Sequence, residues 1–151
     1  RIGSLLGRRV DLELRRLKAT RRSEGTVSDR LLRFVHDYTE ELERVGPLAP
    51  IVIEFYARAT RHRTVREVVR RYFESFRSEL AALVAEGVGS GEFREVDPDV
   101  VAVSISGLLE GLALLWVLDR ERVPISDLAP SSLDMLLRGL RPETPSTEVT
   151  P

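Results

Sequence analysis

The chain has 151 residues, 42% of them hydrophobic and 31% charged, with a formal net charge of −1. These values are typical of one soluble globular domain with a substantial core. The chain contains no cysteine, which excludes a disulfide framework and thiol chemistry and fits a reducing, cytoplasmic location.

The first 22 residues are strongly basic. They carry eight Lys and Arg side chains against Asp11 and Glu13, a net charge of +6, so the rest of the chain carries −7. Such an asymmetry can mark a surface that faces nucleic acid or a partner. A charge run on one helix is also typical of a solvated face, and the sequence leaves both interpretations open.

Apolar residues recur at helical spacing along most of the chain, and no hairpin signal joins two alternating runs. Thr26 or Ser28 is a candidate N-cap for the second helix, and Thr64 and Gly87 are candidate ends of the fourth. The pattern therefore predicts an all-α fold. The six predicted helices lie near residues 2–22, 27–45, 50–62, 64–88, 98–120 and 126–140.

Residues 91–100, GEFREVDPDV, connect the fourth and fifth helices. An Asp-Pro step is turn chemistry because proline fixes φ and disfavours a helical conformation in the residue before it. We therefore expect a connector over 91–97, with Pro98 as the first residue of the fifth helix and Phe93 as a hydrophobic anchor.

The fifth helix has one charge between residues 100 and 118, Glu110. A membrane span is the alternative interpretation, but a carboxylate near its centre would cost ~2.5–3.5 kcal/mol, so we expect no membrane contact. Ser104, Gly107 and Gly111 fall within about 60° of one another on a helical wheel, bordered by Leu108 and Leu115. Because this helix is apolar all round, we expect a second subunit to cover one face.

The last predicted helix has Leu133, Leu136, Leu137 and Leu140 on one stripe. Two such helices from each of two chains would form a four-helix interface in a homodimer. The alternative is that both helices merely close the core of one protomer. The final residues, 141–151, contain three Pro and four Ser or Thr, and we expect this tail to be disordered.

The connector and the helix after it resemble the C-terminal regulatory domain of TetR-family transcriptional repressors. The residues that carry the resemblance are Gly91, Glu92, Phe93, Arg94, Asp97, Pro98, Glu110 and Gly111. The resemblance covers residues 2–140, with 1–22 similar to the helix that links the DNA-binding head to the body. No helix-turn-helix head precedes Arg1 in this sequence, so any operator DNA would be bound through a head outside the chain.

Enzyme chemistry has little support in the sequence, which lacks the G-x-S-x-G, P-loop and Rossmann patterns. A di-iron bundle would need Glu-x-x-His, but Arg33 and Ala59 stand three residues before His36 and His62. Glu54 and Glu110 could form an acid-base pair, although a surface and an interfacial carboxylate are the simpler interpretation. We expect no catalytic residue, no metal and no cofactor.

The resemblance implies a cavity for a small apolar effector among the helices at 27–45, 50–62, 64–88 and 98–120. The candidate lining residues are Tyr38, Phe55, Tyr56, Tyr72, Phe76 and Trp116. Aromatic residues at helical spacing also occur in ordinary cores. The two functions to be separated are therefore a ligand-responsive repressor, in which the effector shifts the 1–22 helix and releases DNA, and a DNA-free dimerisation module with no ligand.

Overall fold

The computed structural model describes residues 2–144, and the side chains of residues 7, 8 and 10–144. Most of the predicted tail, 145–151, lies outside the described residues. Within the described chain there are six α-helices and no strand, so the predicted all-α fold is confirmed. The helices are α1 (Ile2–Arg22), α2 (Val27–Arg44), α3 (Ala49–Ala59), α4 (Arg63–Gly89), α5 (Pro98–Leu118) and α6 (Ile125–Gly139), with a 3-10 turn at Gly46–Leu48.

Two helix starts follow directly from their capping residues. The Thr26 hydroxyl accepts a hydrogen bond from the Asp29 N–H at 3.1 Å, and the Asp97 carboxylate accepts one from the Asp99 N–H at 2.9 Å. Both side chains thereby satisfy N–H groups that the first turn leaves free. Pro98 is the first residue of α5, as the sequence predicts.

Two helix ends differ from the sequence prediction. The helix α3 ends at Ala59, three residues early, because the Arg66 guanidinium donates to the carbonyl oxygens of Ala59 and Thr60 at 3.1 and 2.7 Å. The helix α4 continues past Gly87 to Gly89. The chain then turns at Gly91, whose φ of 79° is rarely adopted by other residues.

The core forms where α2 packs against α1, α4 and α6, and where α5 packs against α4 and α6. Leu31, Val35, Leu80 and Leu83 are fully buried there. The helix α6 turns its leucine stripe toward this core, so Leu133, Leu137 and Leu140 are buried within the protomer and Leu136 is partly buried. Within the protomer the stripe has partners in α2 and α5, and its role in a dimer interface stays a prediction.

The connector between α4 and α5 joins three helices. The Glu92 carboxylate accepts hydrogen bonds from the N–H groups of Val27 and Ser28 at 2.9 and 3.1 Å, at the start of α2. The Arg94 side chain donates to the Gly139 carbonyl at 3.0 Å, at the end of α6. Phe93 is buried against α4, as expected for a hydrophobic anchor.

The helix α5 buries one face and leaves the other exposed. Ile105 and Leu109 are buried, whereas Val103 is 55% exposed and Leu118 is 72% exposed. By length and composition alone, α5 is also apolar enough to cross a membrane, a property that core helices of soluble proteins share. The outward face of α5 therefore has no apolar cover among the described residues of the protomer.

Candidate ligand-binding site

A cavity of about 820 Å³ lies among the helices and is partly open to solvent. All four helices expected from the sequence line it, and α1 forms a further wall. This volume lies within the range of small-molecule sites in proteins, roughly 300–1,000 Å³. The lining residues include Gly7, Val10, Asp11, Glu13 and Leu14 of α1, Tyr38 and Leu42 of α2, Val52, Ile53, Phe55 and Tyr56 of α3, Val68, Val69, Arg71, Tyr72 and Phe73 of α4, and Glu110, Gly111, Ala113, Leu114 and Val117 of α5.

Helical spacing brings the aromatic residues to the cavity wall. Tyr72 and Phe73 follow Val68 and Val69 by one turn of α4, so the four side chains share the side of α4 that lines the cavity. The ring centroids of Tyr56 and Phe73 are 5.8 Å apart, and those of Tyr72 and Phe73 are 5.2 Å apart. These tilted aromatic contacts hold the rings in place. Together with the aliphatic side chains, the rings make most of the wall apolar.

Two tyrosine–carboxylate pairs supply polar groups in the wall. The Tyr72 hydroxyl donates to Glu13 Oε2 at 2.9 Å, and the Tyr56 hydroxyl donates to Glu110 Oε1 at 3.4 Å. Glu13 is only 6% exposed, so its carboxylate needs hydrogen-bond donors in place of water. Burial raises the pKa of Tyr72 well above its usual range, and the charges of Glu13 and Glu110 reinforce the shift. Tyr72 is therefore a neutral donor at physiological pH.

Four of the six residues predicted to bind ligand lie on the cavity wall: Tyr38, Phe55, Tyr56 and Tyr72. Phe76 and Trp116 lie outside this wall. Phe76 is one turn beyond Tyr72 and turns toward α2, where its ring centroid is 5.7 Å from that of Phe34. Trp116 is buried beside Gly46 and lies under the Arg120 guanidinium, 4.4 Å from the ring centroid.

The sequence predicts no role in the site for α1, and it also misses many lining residues of α3, α4 and α5. Val10, Glu13 and Leu14 line the cavity, and Leu17, one turn further along the same face, is fully buried. A signal is present in the sequence, because Glu13 is one of only two acidic residues in this basic helix and stands among apolar residues. The net charge of the helix does not indicate that one of its faces is turned inward.

In the described part of the chain, no three His, Asp or Glu side chains come together in an arrangement that could hold a metal ion. His36 is an exposed residue whose ring nitrogen lies 3.3 Å from a Glu40 carboxylate oxygen. His62 is exposed at the start of α4.

The comparisons with known proteins identify the family. The family model described as BetI-type transcriptional repressor, C-terminal, matches residues 27–140, which is most of the chain. No curated protein and no solved structure matches the chain. The matched region runs from the start of α2 to the end of α6 and includes most of the cavity wall. The chain therefore belongs to the TetR family of transcriptional regulators as a C-terminal domain of the BetI-type repressor group.

Proposed function

We propose that this chain is the effector-binding and dimerisation part of a cytoplasmic transcriptional repressor that binds operator DNA through a head preceding α1. The family is one of regulatory domains of ligand-responsive transcriptional regulators rather than of enzymes. The observation that supports the proposal best is the cavity of about 820 Å³ with α1 in its wall. A ligand in this cavity would touch the helix that leads to the head.

The lining favours a small, largely apolar effector with one or two polar groups. Apolar and aromatic side chains of α3 and α4 form most of the wall, while Glu13 and Glu110 offer carboxylate oxygens. A carboxylate accepts hydrogen bonds but does not donate them. A hydroxyl or amino group on the effector would therefore suit these two carboxylates.

The proposed mechanism is a shift between two arrangements of α1. An effector that binds one arrangement more tightly raises its population. In a dimer, a tilt of α1 changes the separation of the two heads, which must match half-sites ~34–36 Å apart. Operator affinity falls when the spacing no longer fits. A DNA-free module whose cavity takes no ligand is the competing function.

Thermal unfolding with a library of apolar alcohols and amines tests the proposal. A compound at one hundred times its dissociation constant stabilises the folded chain by ~2.7 kcal/mol if it binds only that state. Val68 is 58% exposed and lines the cavity, so Val68→Trp should narrow the site without disturbing the core. Thr64, one turn earlier and outside the cavity wall, provides the matched control Thr64→Trp.

We expect Val68→Trp to reduce the shift in melting temperature and Thr64→Trp to preserve it. The effector proposal is rejected if no compound stabilises the parent chain. It is also rejected if the stabilising compounds act equally on both variants, because they would then bind outside the cavity.

A further inference from the structure

The two halves of α1 are held differently. In the second half, Leu17 is fully buried, the Arg21 guanidinium lies 3.1 Å from Glu79 of α4, and the buried Arg30 donates to the Arg21 carbonyl at 2.9 Å. In the first half, α1 borders the cavity from Gly7 to Leu14. A hydrogen bond from Tyr72 to Glu13 joins this cavity-facing half to α4.

We propose that the Tyr72–Glu13 hydrogen bond is the contact through which the cavity controls α1, and that it separates effectors from inert ligands. A ligand whose hydroxyl or amine reaches Glu13 takes the place of the Tyr72 hydroxyl and frees the first half of α1 from α4. A ligand of the same shape without a donor fills the cavity and leaves the bond intact. This inference rests on the proposed function of the cavity as an effector site.

The burial of Glu13 explains why a donor is needed. A buried carboxylate that loses a hydrogen bond without replacement is strongly destabilised, whereas exchanging one donor for another leaves it satisfied. Both Tyr72 and Glu13 line the cavity, so a ligand can reach the carboxylate from the same side as the tyrosine. An apolar ligand has no donor to replace the Tyr72 hydroxyl, so displacing Tyr72 would leave the Glu13 carboxylate with one hydrogen bond fewer.

The second tyrosine–carboxylate pair provides a matched comparison. Tyr56 and Glu110 also line the cavity and form the same kind of hydrogen bond, at 3.4 Å, but they join α3 to α5. Loss of the Tyr56 hydroxyl therefore removes a hydrogen bond between α3 and α5, whereas loss of the Tyr72 hydroxyl removes one between α4 and α1.

Amide hydrogen exchange of the 151-residue chain, without ligand, measures the link directly. We expect Tyr72→Phe to accelerate exchange across residues 7–16 by about tenfold, as loss of a hydrogen bond to a charged group would, and Tyr56→Phe to leave this segment unchanged. In a Glu13→Leu background, Tyr72→Phe should cause no further acceleration. Equal exchange in the parent and Tyr72→Phe overturns the inference, and so does acceleration that persists in the Glu13→Leu background, because ring packing would then be responsible.

The same measurement with 2-naphthol and its methyl ether tests the role of the donor. We expect 2-naphthol to accelerate exchange across residues 7–16, and the ether to stabilise the chain against heat without that acceleration. If both compounds bind and act alike on this segment, the inference fails while the effector site stands. If Tyr72→Phe accelerates exchange but no compound stabilises the chain, the link stands as a structural contact and the effector site fails.

Discussion

At the residue scale, Gly87 lies inside α4 rather than at its end, and it provides the space in which Phe93 packs. Glycine weakens a helix because it loses the most backbone freedom on folding, yet α4 runs through Gly87 for two further residues. A Cβ atom at this position would lie 2.4 Å from the Phe93 ring, which is 3% exposed. The absence of a side chain at Gly87 is what allows Phe93 to pack against the helix.

Replacing Gly87 with alanine should therefore destabilise the fold. We expect Gly87→Ala to lower the free energy of unfolding by ~1–3 kcal/mol, the usual range for overpacking a core. In Gly89→Ala, the added Cβ would meet nothing within 4 Å, so we expect a neutral or slightly stabilising effect. Urea unfolding monitored by circular dichroism measures both, and equal losses in the two variants would contradict this account of Gly87.

The raised pKa of Tyr72 should appear as a loss of stability in alkali. Burial, followed by the charge of Glu13, raises the pKa of this hydroxyl well above 10, while in the unfolded chain it ionises near its ordinary value of about 10. Above about pH 10 the unfolded state therefore binds fewer protons, and the free energy of unfolding falls as the pH rises toward the folded-state pKa. This contribution is fully present below about pH 9.

Urea midpoints measured from about pH 8 to about pH 11 should decline more steeply for the parent chain than for Tyr72→Phe. A Tyr56→Phe variant controls for the general effect of removing a cavity hydroxyl. If the parent and Tyr72→Phe curves remain parallel throughout, Tyr72 does not titrate abnormally and its raised pKa is excluded.

At the element scale, the sequence predicts where the helices lie better than it predicts which helices pack against each other. Periodicity and capping residues locate all six helices, most ends to within two residues, because both signals are local. The end of α3 is missed because it depends on Arg66, which reaches back from the next helix to the carbonyl oxygens of Ala59 and Thr60. A contact between elements leaves no periodic trace in either of them.

The same limit explains why the sequence does not show which predicted site residues face the cavity. An apolar stripe shows that a face is covered, but not whether its cover is another helix of the chain, a cavity or a second subunit. The leucines of α6 and the ring of Phe76 face helices of the same protomer, whereas Tyr72, one turn from Phe76, faces the cavity. Only the arrangement of the helices distinguishes these cases.

The connector shows how one short segment can stabilise a distant helix. The Glu92 carboxylate binds two N–H groups in the first turn of α2, a position where a negative charge is also favoured by the helix dipole. We expect Glu92→Ala to lower the free energy of unfolding by ~1–2 kcal/mol, in the range of lost helix caps. Glu95→Ala, at an exposed position in the same connector, should change it little. Similar losses in both variants would show that connector charge, rather than capping, is responsible.

At the scale of the whole molecule, the exposed face of α5 makes little contribution to the packing of the described protomer. Leu115 is 52% exposed, and Ser104, Gly107 and Gly111 lie on the same outward side. An added Cβ at Gly107 or Gly111 would meet nothing within 4 Å in the protomer. The small-residue seam therefore serves no packing need within the described chain, which fits the proposed homodimer.

A substitution on this exposed face can therefore test the dimer without disturbing the fold of the protomer. We expect the parent chain to be a dimer at micromolar concentration and Gly107→Leu to shift it toward monomer, because the larger side chain would hold the α5 backbones of two copies apart. Gly107 is preferred to Gly111 because Gly111 also lines the cavity. Gly89→Leu is the control, since Gly89 also has open space around it but lies at the end of α4. Light scattering measures the mass, and circular dichroism checks that both variants remain helical. A monomeric parent, or a Gly107→Leu variant as dimeric as the control, would show that the exposed face of α5 is not where two copies meet.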